Sequence, residues 1–169
     1  MTNSVEFKVI KSDHPATREQ REAILEKPVF GAKFTDHQVI IEYSSELGWH
    51  SPRVEAYGPI MMDPASAVFH YGQEVFEGIK AYRHADGSIY TFRAEQNAMR
   101  MQKSAHRLAL PELPTELFLE SLRQLVLVDH EWVPDPEGER TLYFRPFEIA
   151  MESFLGVRAA NFYEFRVIA

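Results

Sequence analysis

Apolar positions along this chain keep one spacing, switch to a second and then return to the first. Between residues 37 and 92 they sit in short runs rich in β-branched and aromatic side chains: HQVIIEYS (37–44), PRVEAYGPI (52–60), EVFEGIKAYR (74–83) and SIYTF (88–92). Runs of this kind predict strands. ELGW (46–49) is the expected turn between the first two. His84-Ala85-Asp86-Gly87 places Asp-Gly, a strong hairpin signal, between the last two. A short strand is also expected at EFKVI (6–10), followed by a polar connector over 11–28 with a helical turn or two at most. Over 93–108 the period lengthens, and Ala94, Ala98, Met101, Ala105 and Leu108 form one narrow helical stripe. Pro111 and Pro114 close that helix, and Thr115 is the expected N-cap of a second over 116–132. Its wide apolar face carries Phe118, Leu119, Leu122, Leu125 and Val126. After a turn-rich loop, VPDPEGER (133–140), TLYFRPFEIA (141–150) and FYEFRVIA (162–169) return to strand character.

Strands at both ends around two consecutive helices predict an α+β fold with a largely antiparallel sheet. At 169 residues the chain has room for one ordinary domain. A net charge of -7, with no basic stripe, argues against nucleic acid or an anionic membrane as partner. No apolar run approaches the roughly 18 residues of a membrane span, and MTNSVEFKVIKSD lacks the core of a signal peptide. Cysteine is absent, which removes disulfides, thiolate zinc sites and cysteine nucleophiles. These features lead us to expect a cytoplasmic protein. The histidines show no HExxH or similar spacing, so no metal site is expected.

In TLYFRPFEI, alternation puts Tyr143, Arg145 and Phe147 on one face and Leu142, Phe144 and Glu148 on the other. An arginine between aromatics is either an edge-strand residue with its head in water or a clamp for a carboxylate. Pro146 favours an edge or a bulge. Arg100 lies on the flank of its helix, placed either for solvation or for a sideways reach to a phosphate. His70 is read as a hydrogen-bonded structural residue, and Tyr71, Phe76, Tyr82 and Tyr90 as core aromatics. HYGQEVFEG lacks the G-x-G-x-x-G spacing of a dinucleotide loop. Lys80 has no acid or base pattern around it.

Five segments taken together resemble a known family: FGAKFTDH (30–37), residues 48–83 including HYGQEVFEGIKAYR, FRAEQNAMRMQKSAHRLALP (92–111), LVLVDHEWVP (125–134) and LYFRPFEIAMESFLGV (142–157). In order and without large gaps, they are similar to the N-terminal part of branched-chain amino-acid aminotransferases, pyridoxal 5'-phosphate enzymes of fold type IV. The resemblance implies a strand and polar connector over 1–28 and the small α+β domain over 29–169, with a second, cofactor-carrying domain absent. It implies that Arg100 binds the cofactor phosphate and that Phe30, Tyr71, Phe76 and Tyr143 wall the side-chain pocket. By the same likeness, Arg145 lies where the γ-carboxylate of glutamate or 2-oxoglutarate is held, and Leu155 and Val157 reach across a homodimer interface. The implied substrates are branched-chain amino acids and their 2-oxo acids. No catalytic residue is assigned, because the family's cofactor-anchoring lysine lies beyond residue 169. Transamination and retention of the cofactor are therefore not expected of these residues alone. The other reading is a non-catalytic module that binds a small carboxylate on its aromatic and arginine face. Glu148 departs from the family, which has an apolar residue there, and Glu164 and Arg166 make the last strand more polar than expected.

Overall fold

A computed structural model describes residues 6–138 and 140–169. Residues 1–5, part of the predicted N-terminal strand and connector, and Glu139, within the predicted loop 133–140, lie outside the described residues. The elements run β1 (Lys8–Val9), α1 (Arg18–Glu26), β2 (His37–Ser44), β3 (Gly48–Ala56), α2 (Ala67–Tyr71), β4 (Glu74–Phe76), β5 (Ile79–Arg83) and β6 (Ile89–Thr91). Then follow α3 (Ala94–Arg107), α4 (Thr115–Asp129), a 3-10 turn (His130–Trp132), β7 (Leu142–Ala150) and β8 (Phe162–Ile168). The strands form a single sheet in the order β1-β3-β2-β8-β7-β5-β6, with β4 also pairing β7. Every pairing except β1 with β3 is antiparallel. The fold is thus α+β with two consecutive helices between β6 and β7.

One sheet face is covered by those helices. Val39, Ile41, Val54, Phe144, Phe165 and Val167 pack with Met101, Phe118, Leu122 and Leu125 in one core. Phe118 meets Phe165 with ring centroids 5.9 Å apart. The stripe on α3 buries Ala94, Ala98, Met101 and Ala105, whereas Leu108 is the helix C-cap and is half exposed. Thr115 is not the N-cap of α4. Pro114 takes that place, and Thr115 is the first helical residue.

The polar connector holds more helix than its composition suggests. Thr17 accepts from the Gln20 backbone N–H while Gln20 Oε1 accepts from that of Thr17. This capping box satisfies two free donors and starts the nine-residue α1. The turn after β2 is tighter than predicted, so β3 begins at Gly48 and ends at Ala56. Pro52 fits inside β3 because Ser51 and Pro52 stand opposite Ile41 alone, a bulge with Ser51 at φ 52°. At His84–Gly87 the predicted hairpin forms: His84 N–H donates to Ser88 at 2.8 Å, and Gly87 takes φ 83°.

The FTDH segment ties the sheet to its surroundings. Ser12 N–H donates to His37 Nε2 at 2.9 Å, so the imidazole proton resides on Nδ1 and faces Asp129 Oδ1 at 2.6 Å. Asp129 also accepts from His37 N–H at 3.0 Å, and Asp36 accepts from Trp132 Nε1 at 2.8 Å. These bonds fix the end of α4 against β2. No helix among the described residues is long and apolar enough to cross a membrane.

Candidate functional site

The run EVFEGIKAYR is not one strand. It breaks at Glu77-Gly78, where β4 ends and β5 begins, both alongside β7. The break explains Pro146. In an antiparallel ladder a residue's N–H and C=O face the same neighbour. Pro146 C=O accepts from Glu77 N–H at 2.8 Å, so its missing donor faces the interruption. Pro146 is therefore buried in an interior strand beside an interruption of the sheet; of the edge or bulge that its residue type suggested, the edge does not hold.

The same interruption gives room for Tyr143. A Cβ on Gly78 would lie 2.4 Å from the Tyr143 hydroxyl, so only glycine leaves that ring its place. Arg145 donates to this hydroxyl through Nε at 3.1 Å and Nη2 at 3.0 Å. Its guanidinium also lies 4.5 Å from the Phe76 ring centroid and 5.5 Å from that of Tyr143. Both hydroxyl lone pairs are then occupied, leaving the Tyr143 O–H proton to be donated elsewhere. Phe30 packs edge-on against Tyr143 at 5.1 Å. A cavity of about 560 Å3 opens here, lined by Phe30, Phe34, Trp132, Tyr143, Arg145 and Ile168 among others. Tyr143 also walls a smaller cavity of about 240 Å3 with Lys80, Tyr82, Phe92 and Asn97.

Four of the sequence-derived residues, Phe30, Phe76, Tyr143 and Arg145, thus form one contiguous group. Arg100 lines neither cavity but reaches the same interruption from α3. Its Nε and Nη2 bind the Glu77 carboxylate at 3.0 and 2.7 Å, a contact that raises the arginine's pKa. Tyr71 stands apart, stacked on Phe154 at 6.3 Å. Leu155 and Val157 project from the neighbouring 151–161 loop, with Val157 98% exposed. Arg158 braces that loop by gripping Glu152, whose carboxyl it holds down at about 2.

Tyr71, Phe76, Tyr82 and Tyr90 are not core aromatics; all four are exposed. The two long helices, α3 and α4, pack on one sheet face, and Phe76, Tyr82 and Tyr90 project from the other. His70 does bond a carbonyl, that of Pro64, at 2.9 Å. Lys80 is exposed and stands across from Tyr143. The polar residues of β8 are satisfied: Arg166 pairs with Glu164 at 2.7 Å and donates to Gln38 at 3.0 Å. Glu148 differs. It is fully buried, neither carboxyl oxygen has a partner among the described residues, and burial pushes its pKa up to about 8. Glu77 and Asn97 escaped the sequence reading. The one local hint was a Glu-Gly pair inside an otherwise strand-like run.

No family model matches the chain. A branched-chain-amino-acid aminotransferase of Mycolicibacterium smegmatis is 57% identical over 165 residues, covering 98% of this chain and 45% of that protein. One from Mycobacterium tuberculosis is 55% identical over 168 residues, covering 99% and 46%. The chain spans about half the length of the curated relatives it matches. Among solved structures, the branched-chain aminotransferase of the archaeon Thermoproteus uzoniensis with norvaline superposes with a TM-score of 0.56 at 19% identity, over 76% of this chain and 39% of that one. The branched-chain amino acid aminotransferase of Thermobaculum terrenum in its PLP form gives 0.55 at 19% identity, over 77% and 39%. Likeness across nearly the whole chain, on a matching fold, places it in the branched-chain-amino-acid aminotransferase family of fold type IV.

Proposed function

We propose that residues 29–169, preceded by the 1–28 arm, form the substrate-pocket domain of a branched-chain amino-acid transaminase. The reaction moves the amino group of leucine, isoleucine or valine to 2-oxoglutarate with pyridoxal phosphate. The observation that carries this reading is Arg145 held by the Tyr143 hydroxyl against the Phe76 ring, beside an apolar cavity. The pocket of such an enzyme must accept an aliphatic side chain and a carboxylate in turn. Aromatic walls favour the first, at about 25 cal/mol per Å2 of apolar surface buried. A free guanidinium in an apolar pocket would oppose it. Here Tyr143 and Phe76 shield the cation, so an aliphatic side chain meets no bare charge. Nη1 of Arg145 has no partner among the described residues and is left for a carboxylate.

Pyridoxal phosphate, when bound, supplies the electron sink that acidifies the amino acid's Cα–H bond. The outer edge of Arg100 is exposed and fits a phosphate oxygen. The other cofactor contacts and the anchoring lysine belong outside these residues. Leu155 and Val157, on a braced loop and exposed among the described residues, suit a reach into the partner of a homodimer. A cytoplasmic location accords with the residue composition.

Grafting supplies the test. Residues 1–169 in place of the matching segment of the M. smegmatis relative are expected to support leucine–2-oxoglutarate transamination. A folded graft without that exchange rejects the reading. The 560 Å3 cavity exists within this chain alone, which keeps the binding-module reading in play. Calorimetry with 2-oxoglutarate separates the two: saturable binding by the isolated chain supports the module, and its absence supports the transaminase domain.

A further inference from the structure

We propose that Glu77 is the positioning residue for Arg100, gripping one edge of its guanidinium so that the opposite edge is fixed for a phosphate oxygen. This deepens the reading above and rests on Arg100 being the phosphate ligand. Burial is uneven between the two partners. The Glu77 side chain is 10% exposed and that of Arg100 59%. Glu77 is also the better anchored. Its N–H is bound to Pro146 C=O at 2.8 Å, and its carboxylate accepts from Asn97 Nδ2 at 3.0 Å. Asn97, buried one helical turn before Arg100, also donates to Gly78 C=O at 2.9 Å. The carboxylate is therefore a fixed post, and the guanidinium is the part that faces outward.

Only Nε and Nη2 of Arg100 are engaged, both by Glu77. Nη1 has no partner among the described residues, so the Nη1–Nη2 edge remains to grip an oxyanion. A surface ion pair whose only role is to tie α3 to the sheet would have little reason to bury the acid and expose the base. The pair is also close to neutral overall. Glu77 thus weakens the long-range attraction of an anion while holding in place the group that binds it. These two effects have opposite signs, which makes them separable. The Glu77-Gly78 step further carries the ring of Tyr143, so one interruption of the sheet supports both the anion site and the Arg145 clamp.

The experiment titrates the cofactor-free graft described above, 15N-labelled, with inorganic phosphate at constant ionic strength, following the Arg100 side-chain resonance and the backbone amides. Saturable change centred on Arg100 is expected in the graft without further substitution. Glu77→Gln should weaken phosphate binding roughly two- to tenfold, the cost of re-ordering a long side chain, although it removes a negative charge. Binding as tight or tighter in that variant overturns the proposal. Arg100→Lys leaves Glu77 and its buried partners in place and keeps the charge, so it covers the case in which Glu77→Gln does not fold. An ammonium cannot present the second edge of a fork. Loss of the phosphate response is expected, and retention of full affinity overturns the proposal. Phosphate changes located away from Arg100, or no saturable change, would instead remove Arg100 as the phosphate ligand and reduce its pair with Glu77 to a structural tie.

Discussion

Replacing Glu148 by glutamine should flatten the pH dependence of this chain's stability between about pH 4.5 and about pH 8. The carboxyl lies between Val75 and Phe165 across the sheet, fully buried, and burial alone raises its pKa from 4.5 to about 8. The folded chain therefore keeps a proton that the unfolded chain releases within that window. Stability is highest below the unfolded value and falls as pH rises through the folded one. Each pH step inside the window is worth about 1.4 kcal/mol, so on the order of 5 kcal/mol is lost across it. Glutamine keeps the shape and cannot ionise. The two proteins should unfold at similar urea concentrations at the acid end, with the glutamine variant clearly more resistant at the alkaline end. Comparing them at each pH cancels every other titration, including that of Glu152, which matters only at lower pH. Parallel curves would show that Glu148 carries its charge in the fold.

In the grafted full-length protein, Arg145→Ala is expected to slow the glutamate and 2-oxoglutarate half-reaction roughly 10- to 100-fold more than the leucine half-reaction. A hydrogen bond to a charged group is worth about 1.5–3 kcal/mol, which sets that range. Leucine loses only the packing of the arginine stem, and Phe30 and Phe76 remain as walls. Gly78→Ala should act in the same direction while leaving Arg145 itself intact. The added methyl would press on the Tyr143 hydroxyl and ring, so the guanidinium would lose the acceptor that orients it. Single-turnover rates with each substrate measure both effects. Equal loss for leucine and glutamate in Arg145→Ala would remove this residue from carboxylate recognition.

The clamp was partly legible in TLYFRPFEI. Strand alternation alone put Tyr143 and Arg145 on one face, and the structure keeps them there. It left the arginine's partner open, because alternation describes one strand and Phe76 belongs to another. Phe30 comes from a loop over 100 residues earlier, and no spacing rule connects it to Tyr143. The exposed aromatics show the same limit from the other side. Tyr82 and Tyr90 look like core residues one at a time, and they stand uncovered because α3 and α4 pack on the opposite sheet face.

What the amino-acid order determined by itself was local: the two helices from their period of about 3.6, the strands from their β-rich runs, the hairpin from Asp86-Gly87 and an α+β fold from their succession. Pairings between residues far apart were decided by the tertiary structure. His37 meets Asp129 across 92 positions and Arg100 meets Glu77 across 23, in contacts that no local pattern encodes. The break at Glu77-Gly78 belongs to the same class, since what stands beside it, the ring of Tyr143 and the carbonyl of Pro146, comes from the neighbouring strand. Periodicity reports which side of an element is apolar. What stands across from that side follows from how the elements pack, and the site is built from those meetings.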